Sequence, residues 1–206
     1  AITMYRYKEP GTYTVSATVT SGEGISRTLT AKVTVTKGYE PPEYKGYGNL
    51  AYLGIITCNV GQPKGSGSKD IEIIRDGKIT RTNLGQYDTF FYRGDPHEEY
   101  IGYIFSEAYS FDKVVFTEGM QFDNGGWFEN GNLRIEALID GSWKQLDVVS
   151  EPEYPNGNKQ SDFGANFETY TFTFEPVKAS GIRLIGSAGG SMHFISVAEL
   201  EIYGSR

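Results

Sequence analysis

Val197-Ala198-Glu199-Leu200-Glu201-Ile202-Tyr203 reads as a short strand close to the C-terminus, because branched and aromatic residues suit a pleated, half-buried surface. Working back along the chain, residues 181–185, 170–174, 133–139, 113–116, 100–105 and 71–74 read the same way. Asp140-Gly141 is a two-residue hairpin signal between two strand-like runs. No segment carries a sustained helical stripe. About eight strands separated by turn signals make the class all-β, a β-sandwich or jelly roll over residues 49–206.

A separate pattern precedes it. Tyr13, Val15, Ala17 and Val19 alternate with Thr14, Ser16, Thr18 and Thr20. After Ser21-Gly22-Glu23-Gly24 the alternation resumes, with Leu29, Ala31, Val33 and Val35 opposite Thr30, Lys32, Thr34 and Thr36. This is a β-hairpin with one apolar face, which two strands alone cannot bury. Residues 38–48, with Pro41-Pro42 inside them, read as a stiff linker. The division is therefore 1–37, a partial sandwich segment; 38–48, a linker; and 49–206, the main domain.

The chain has 206 residues, 38% hydrophobic and 14% aromatic, with 15 tyrosines. No apolar run is long enough for a membrane span, and no signal peptide is visible. The chain opens as if within a domain, so a longer protein with other modules is expected. A net charge of −7 opposes nucleic acid as a partner, since phosphates call for a basic face. The single cysteine, Cys58, lies in an apolar run and reads as a buried, inert thiol.

The chemistry concentrates in Gly119-Met120-Gln121-Phe122-Asp123-Asn124-Gly125-Gly126-Trp127-Phe128-Glu129-Asn130. A loop that exposes an indole beside amides and a carboxylate suits a small polar ligand with one apolar face, and a sugar ring is such a ligand. Trp127 is the expected stacking plate, with Gln121, Asp123 and Asn124 as polar partners. Tyr87, Arg93, His97, Tyr154 and His193 are candidates from other loops, and Trp143, just after a hairpin turn, is expected to be structural. Signals for catalysis are poor. There are two histidines and no H-E-x-x-H, and Gly65-Ser66-Gly67-Ser68-Lys69 lacks phosphate-loop spacing and reads as a flexible turn. The chain is read as a non-enzyme.

Two resemblances sharpen this. Tyr7-Lys8-Glu9-Pro10-Gly11-Thr12-Tyr13-Thr14-Val15 resembles the late strands of a PKD-type immunoglobulin-like domain, over about its second half. Asn49-Leu50-Ala51, Asp76-Gly77, Asp140-Gly141-Ser142-Trp143, Gly181-Ile182-Arg183-Leu184 and Ala198-Glu199-Leu200-Glu201-Ile202-Tyr203-Gly204 follow the order of landmarks of a discoidin, or coagulation-factor type C, domain. That galactose-binding-like jelly roll is similar to family 32 carbohydrate-binding modules. The threonine spacing after Asp76-Gly77 and the insert carrying Trp127 depart from the family pattern. The resemblance implies a polysaccharide or oligosaccharide ligand on loops at one end of the sandwich. It implies a secreted or cell-surface bacterial protein, in which the module targets a glycan-degrading enzyme. It also implies a structural calcium held by Asp76 and Glu199, with Thr80 or Thr82 contributing. Two alternatives stay open: an adhesion module for protein or lipid surfaces, marked by exposed apolar spikes, and a small glycan-active enzyme, marked by paired carboxylates in a cleft.

Overall fold

The structure is a computed structural model and describes residues 7, 9–22, 24–35, 46–92, 94–155 and 167–206. It falls into two compact units, Ala1–Glu43 and Tyr44–Arg206. Among the described residues no helix is long and apolar enough to cross a membrane.

The first unit is an antiparallel ribbon of β1 (Gly11–Thr20) and β2 (Ser26–Val35). Its register pairs Tyr13 with Val33, Val15 with Ala31 and Ala17 with Leu29, so the apolar residues share one face as the alternation requires. Hydroxyl pairs Thr18–Thr28 and Thr20–Ser26, both 2.7 Å apart, tie the other face. The apolar face stays open: Val19 is 67% and Leu29 71% exposed.

Among its described residues the second unit contains nine further strands. These are β3 (Tyr47–Asn49), β4 (Ile55–Cys58), β5 (Tyr87–Asp88), β6 (Glu98–Glu118), β7 (Arg134–Ile139), β8 (Ser142–Gln145), β9 (Val149–Glu151), β10 (Thr169–Ser187) and β11 (Ser196–Ser205). The hydrogen-bonded path is β3-β11-β6-β10-β7-β8, with β4 on β6, β5 on β11 and β9 on β10. β6 and β10 are each one long strand where the sequence suggests two. Their mutual register slips between Thr173 and Val177 and between Ala179 and Gly181. Such bulges bend a strand and let it serve both layers of a sandwich. The core between the layers is built from Ile101, Tyr103, Phe111, Val114, Phe116, Ile135, Tyr170, Ile182, Leu184, Leu200 and Ile202, all essentially buried.

Three local readings are corrected. Residues 71–74 form no strand but part of a 3-10 turn, Ile71–Arg75; Asp70 caps it by accepting the Glu72 N–H at 3.0 Å. β3 begins at Tyr47 and pairs Tyr47 with Ser205, so the last residues read as linker belong to the sheet. Cys58 is half-buried; its thiol donates to the Val60 carbonyl at 3.1 Å, and burial raises its pKa. The Asp140-Gly141 hairpin forms, with φ of 51° and 78°, the left-handed pair a tight β-turn needs.

Candidate functional site

The strand registers gather the loops at one end of the sandwich. Glu98 at the start of β6 pairs with Ser187 at the end of β10, and Arg134 at the start of β7 pairs with Ile185. The other end of β6 pairs with the starts of β10 and β11, through Thr117–Thr169 and Glu118–Val197. Hydrogen bonds join the segments that leave these strand ends, at residues 94–97, 119–133 and 188–195. The Ala188 N–H donates to the His97 carbonyl at 3.2 Å, Met192 to Asn124 at 2.9 Å and Gly126 to Phe194 at 2.8 Å.

Within this end, several predicted residues are buried or tied down by hydrogen bonds. Trp127 is 7% exposed and is not a plate held out to water. Its carbonyl accepts the Gly189 N–H at 2.8 Å, and a methyl group on Gly189 would overlap the indole. The glycines of both loops let the segments close over the ring, which buries it. Gln121 is fully buried, its amide directed at the Glu118 carboxylate, 3.4 Å away. Tyr87 is 1% exposed and its hydroxyl donates to the Val60 carbonyl; burial raises its pKa. Tyr154 is held by its hydroxyl, which accepts the Phe128 N–H at 3.0 Å and donates to Glu118 at 3.1 Å. Burial, then the Glu118 charge, pushes its pKa well up. Gln121, Tyr87 and Tyr154 thus support the loops from below. Arg93 lies outside the described residues. Gly65 and Gly67 also do more than turn the chain. A side chain on either would overlap the Asp88 carboxylate, which accepts the Gly67 N–H at 2.7 Å.

The rest of the set lies nearer the surface. Asp123 is exposed, and Asn124, His97 and His193 are half-buried. The His97 and His193 rings are 6.2 Å apart. His97 Nε2 sits 2.6 Å from Glu99 Oε1 and its Nδ1 2.6 Å from the Asp95 carbonyl, so the ring is fixed from both sides. Glu99 itself is 1% exposed.

Two residues that sequence reading passed over are the most exposed aromatics here. Phe91 is 44% and Tyr92 73% exposed. Tyr92 is braced by Phe90 at 4.8 Å, and Phe90 rests edge-on against Phe194 at 5.3 Å. The exposed ring is thus the tip of an aromatic stack rooted in the buried Phe194. Tyr92 has φ of 53° and His193 φ of 45°, a region costly for residues with a Cβ and concentrated at functional sites. In the sequence this cluster shows only as the aromatic run Phe90-Phe91-Tyr92.

The expected calcium residues are partly assembled. Glu199 Oε1 accepts the Gly77 N–H at 3.2 Å, while Oε2 is buried and has no hydrogen-bond partner among the described residues. Desolvation, opposed by that hydrogen bond and reinforced by the charge of Asp76, pushes the Glu199 pKa up to about 7. A buried carboxylate with a free oxygen beside a second carboxylate suits a hard cation. Thr80 and Thr82 are exposed, and the Thr80 carbonyl already accepts the Thr82 N–H at 2.8 Å. Among the described residues no three His, Cys, Asp or Glu side chains converge. What the fold brings together is the pair Asp76 and Glu199, close enough for the Asp76 charge to act on the Glu199 carboxyl.

No family model matches the chain, and no curated protein does. Solved structures do. The family 32 carbohydrate-binding module of Clostridium perfringens NanJ, solved in complex with galactose, superposes with a TM-score of 0.53 at 18% identity, over 76% of this chain and 98% of that one. The fold is that of the galactose-binding-like jelly roll. A family 32 module of a C. perfringens family 31 glycoside hydrolase gives 0.54 at 17%, over 76% and 95%. A structure of the Streptococcus pneumoniae β-galactosidase BgaA gives 0.56 at 14%, over 75% and 97%.

Proposed function

We propose that the jelly-roll unit is a non-catalytic carbohydrate-binding module whose ligand rests on Tyr92 and Phe91 and is oriented by His97, His193, Asp123 and Asn124. The observation that carries this reading is the exposed Tyr92 ring. It is held at an unfavourable φ and braced by Phe90, on the loop that also presents His97. An aromatic face takes the C–H side of a pyranose, and amide, carboxylate and imidazole groups take its hydroxyls. Galactose in the NanJ module and GalNAc-β-1,3-galactose in another C. perfringens module support a galactose-type residue as ligand. In this reading the host protein is secreted and degrades glycans, and residues 1–37 close an immunoglobulin-like spacer. Calcium held by Asp76 and Glu199 would clamp the turn at residue 77 to β11. With roughly −0.3 kcal/mol for each of about a dozen heavy atoms, a single sugar binds at about millimolar Kd. Calorimetric titration of galactose and N-acetylgalactosamine tests the reading: binding that Tyr92→Ala abolishes supports it, and binding that Tyr92→Ala leaves intact refutes it.

Ile79 and Leu84, 49% and 70% exposed, favour a second reading, adhesion to an apolar surface. Sedimentation with neutral and anionic liposomes checks it. Retention lost in Leu84→Ser supports adhesion, and no retention by the parent protein dismisses it.

A further inference from the structure

The outer face of the β4-β6-β10-β7-β8 layer carries an ordered arrangement that the loop-end reading does not use. Ile101, Ile182, Leu184, Ile135 and Ala137 point into the core, so their neighbours in sequence face out. The registers align those outward residues into rows. Thr57 pairs with Gly102, Gly102 with Arg183, Arg183 with Glu136, and Glu136 with Gln145. Beside this polar row runs an apolar one. Ile55 pairs with Ile104, Ile104 with Gly181, and Leu138 with Trp143, whose indole reaches across to Gly181.

The polar row connects to the loop end through charges. The Arg183 guanidinium lies 4.3 Å over Trp143 and 5.0 Å over Tyr100, and its Nη2 donates to Glu136 at 2.7 Å. Arg134 donates to the other oxygen of Glu136 at 3.2 Å and pairs with both oxygens of Glu98, at 2.7 and 3.1 Å. Glu98 adjoins His97. A continuous track Glu98–Arg134–Glu136–Arg183–Trp143 therefore descends from the loop end along the strands. Six residues of β6 separate the level of Glu98 from that of Ile104, about 20 Å at ~3.3 Å each.

We propose that this track is a second part of the glycan site, holding the inner residues of a neutral polysaccharide whose end group sits at Tyr92, with Trp143 as the distal plate. The proposal rests on the loop-end reading for its entry point. The occupant follows from three features. The two arginines and two glutamates neutralise one another, so a charged polymer would have to break ion pairs. Glu98 and Arg134 are the open members of the track, with side chains 49% and 27% exposed, and they keep hydrogen-bonding positions for hydroxyls. A polar row beside an apolar row also matches a pyranose chain lying on edge, and the track starts where the loop-end site stops.

Affinity electrophoresis in gels containing neutral polysaccharides (galactan, arabinogalactan, galactomannan), run beside titrations with galactose, tests it. Trp143→Ala is expected to weaken polymer retention about ten-fold and leave galactose binding unchanged. Gln145→Ala, at the exposed end of the polar row, should weaken retention less and keep its melting temperature, which guards against a folding defect in the tryptophan variant. Tyr92→Ala should weaken both ligands. Parental retention in Trp143→Ala and Gln145→Ala, with Tyr92→Ala impaired, overturns the track and leaves the loop-end site standing. Parental binding in Tyr92→Ala overturns the loop-end site and with it the track's entry point. No binding of any saccharide by the parent protein overturns both.

Discussion

Two indoles divide the molecule. Trp127 sits in a glycine-rich loop with polar neighbours, and Trp143 sits on a short strand after a hairpin turn. Composition assigns the first to ligand and the second to structure. The coordinates bury the first, at 7% exposure, between two loops. They lay the second, half-buried, across the outside of a sheet against Arg183 and Gly181. Both rings approach a glycine, Trp127 against Gly189 and Trp143 by its Cη2 edge near Gly181. What differs is the opposite face: the segments around Trp127 close over it, whereas Trp143 stands on an outer surface. A loop's own residues do not say whether a distant loop will cover it.

The strongest way to break this comparison is to remove the buried ring. Trp127→Ala should cost about 3–5 kcal/mol of unfolding free energy, as for truncation of other buried tryptophans. Trp143→Ala should cost about 1 kcal/mol, nearer the centre of the mutational distribution. Urea denaturation of the two variants measures both, and equal losses would erase the distinction. A smaller effect comes from the partner glycine. Gly189→Ala inserts a methyl where the Trp127 indole lies, and should destabilise by about 1–3 kcal/mol. The same experiment reads it, and a neutral result would place Trp127 elsewhere.

Most of the architecture is legible in the sequence. The alternation in β1 and β2, the Asp140-Gly141 turn and the closing strand Val197–Tyr203 each carry local chemistry that determines the local structure. Residues 71–74 misled because an isoleucine-rich run suits a strand or a buried turn equally, and the cap at Asp70 decides between them. The site was less legible. Tyr87, Gln121 and Tyr154 occur in loop-like sequence, but the Tyr87 hydroxyl reaches the Val60 carbonyl 27 residues away and the Tyr154 hydroxyl meets the Phe128 N–H 26 residues away, while the Gln121 amide turns back on Glu118. Tyr92 was missed because its exposure follows from a left-handed φ and an aromatic stack, neither of which spacing reveals.

Glu199 sharpens the contrast between scaffold and surface. Its folded pKa of about 7 lies above the usual 4.5, so the folded state binds the extra proton between these values. Without divalent cations, this group's contribution to stability should be fully present below about pH 4.5 and lost as pH rises to about 7. Calcium at pH 7.5 should restore several degrees of melting temperature, and Glu199→Gln should remove both the pH dependence and the calcium response. A calcium-insensitive melt of the parent protein would contradict the assignment. The smallest effect belongs to the exposed loop. Tyr92→Gly relieves the left-handed backbone and loses little packing, so unfolding free energy should stay within about 0.5 kcal/mol of the parent value. A larger loss in the same denaturation assay would make Tyr92 a packing residue.

The most direct test of the central claim is a calorimetric titration of galactose and N-acetylgalactosamine into three proteins: the parent, Tyr92→Ala and Trp127→Phe. Binding to the parent and to Trp127→Phe, with loss of binding in Tyr92→Ala, is the predicted result. Binding retained by Tyr92→Ala and lost by a folded Trp127→Phe would contradict it and return the ligand to the buried indole.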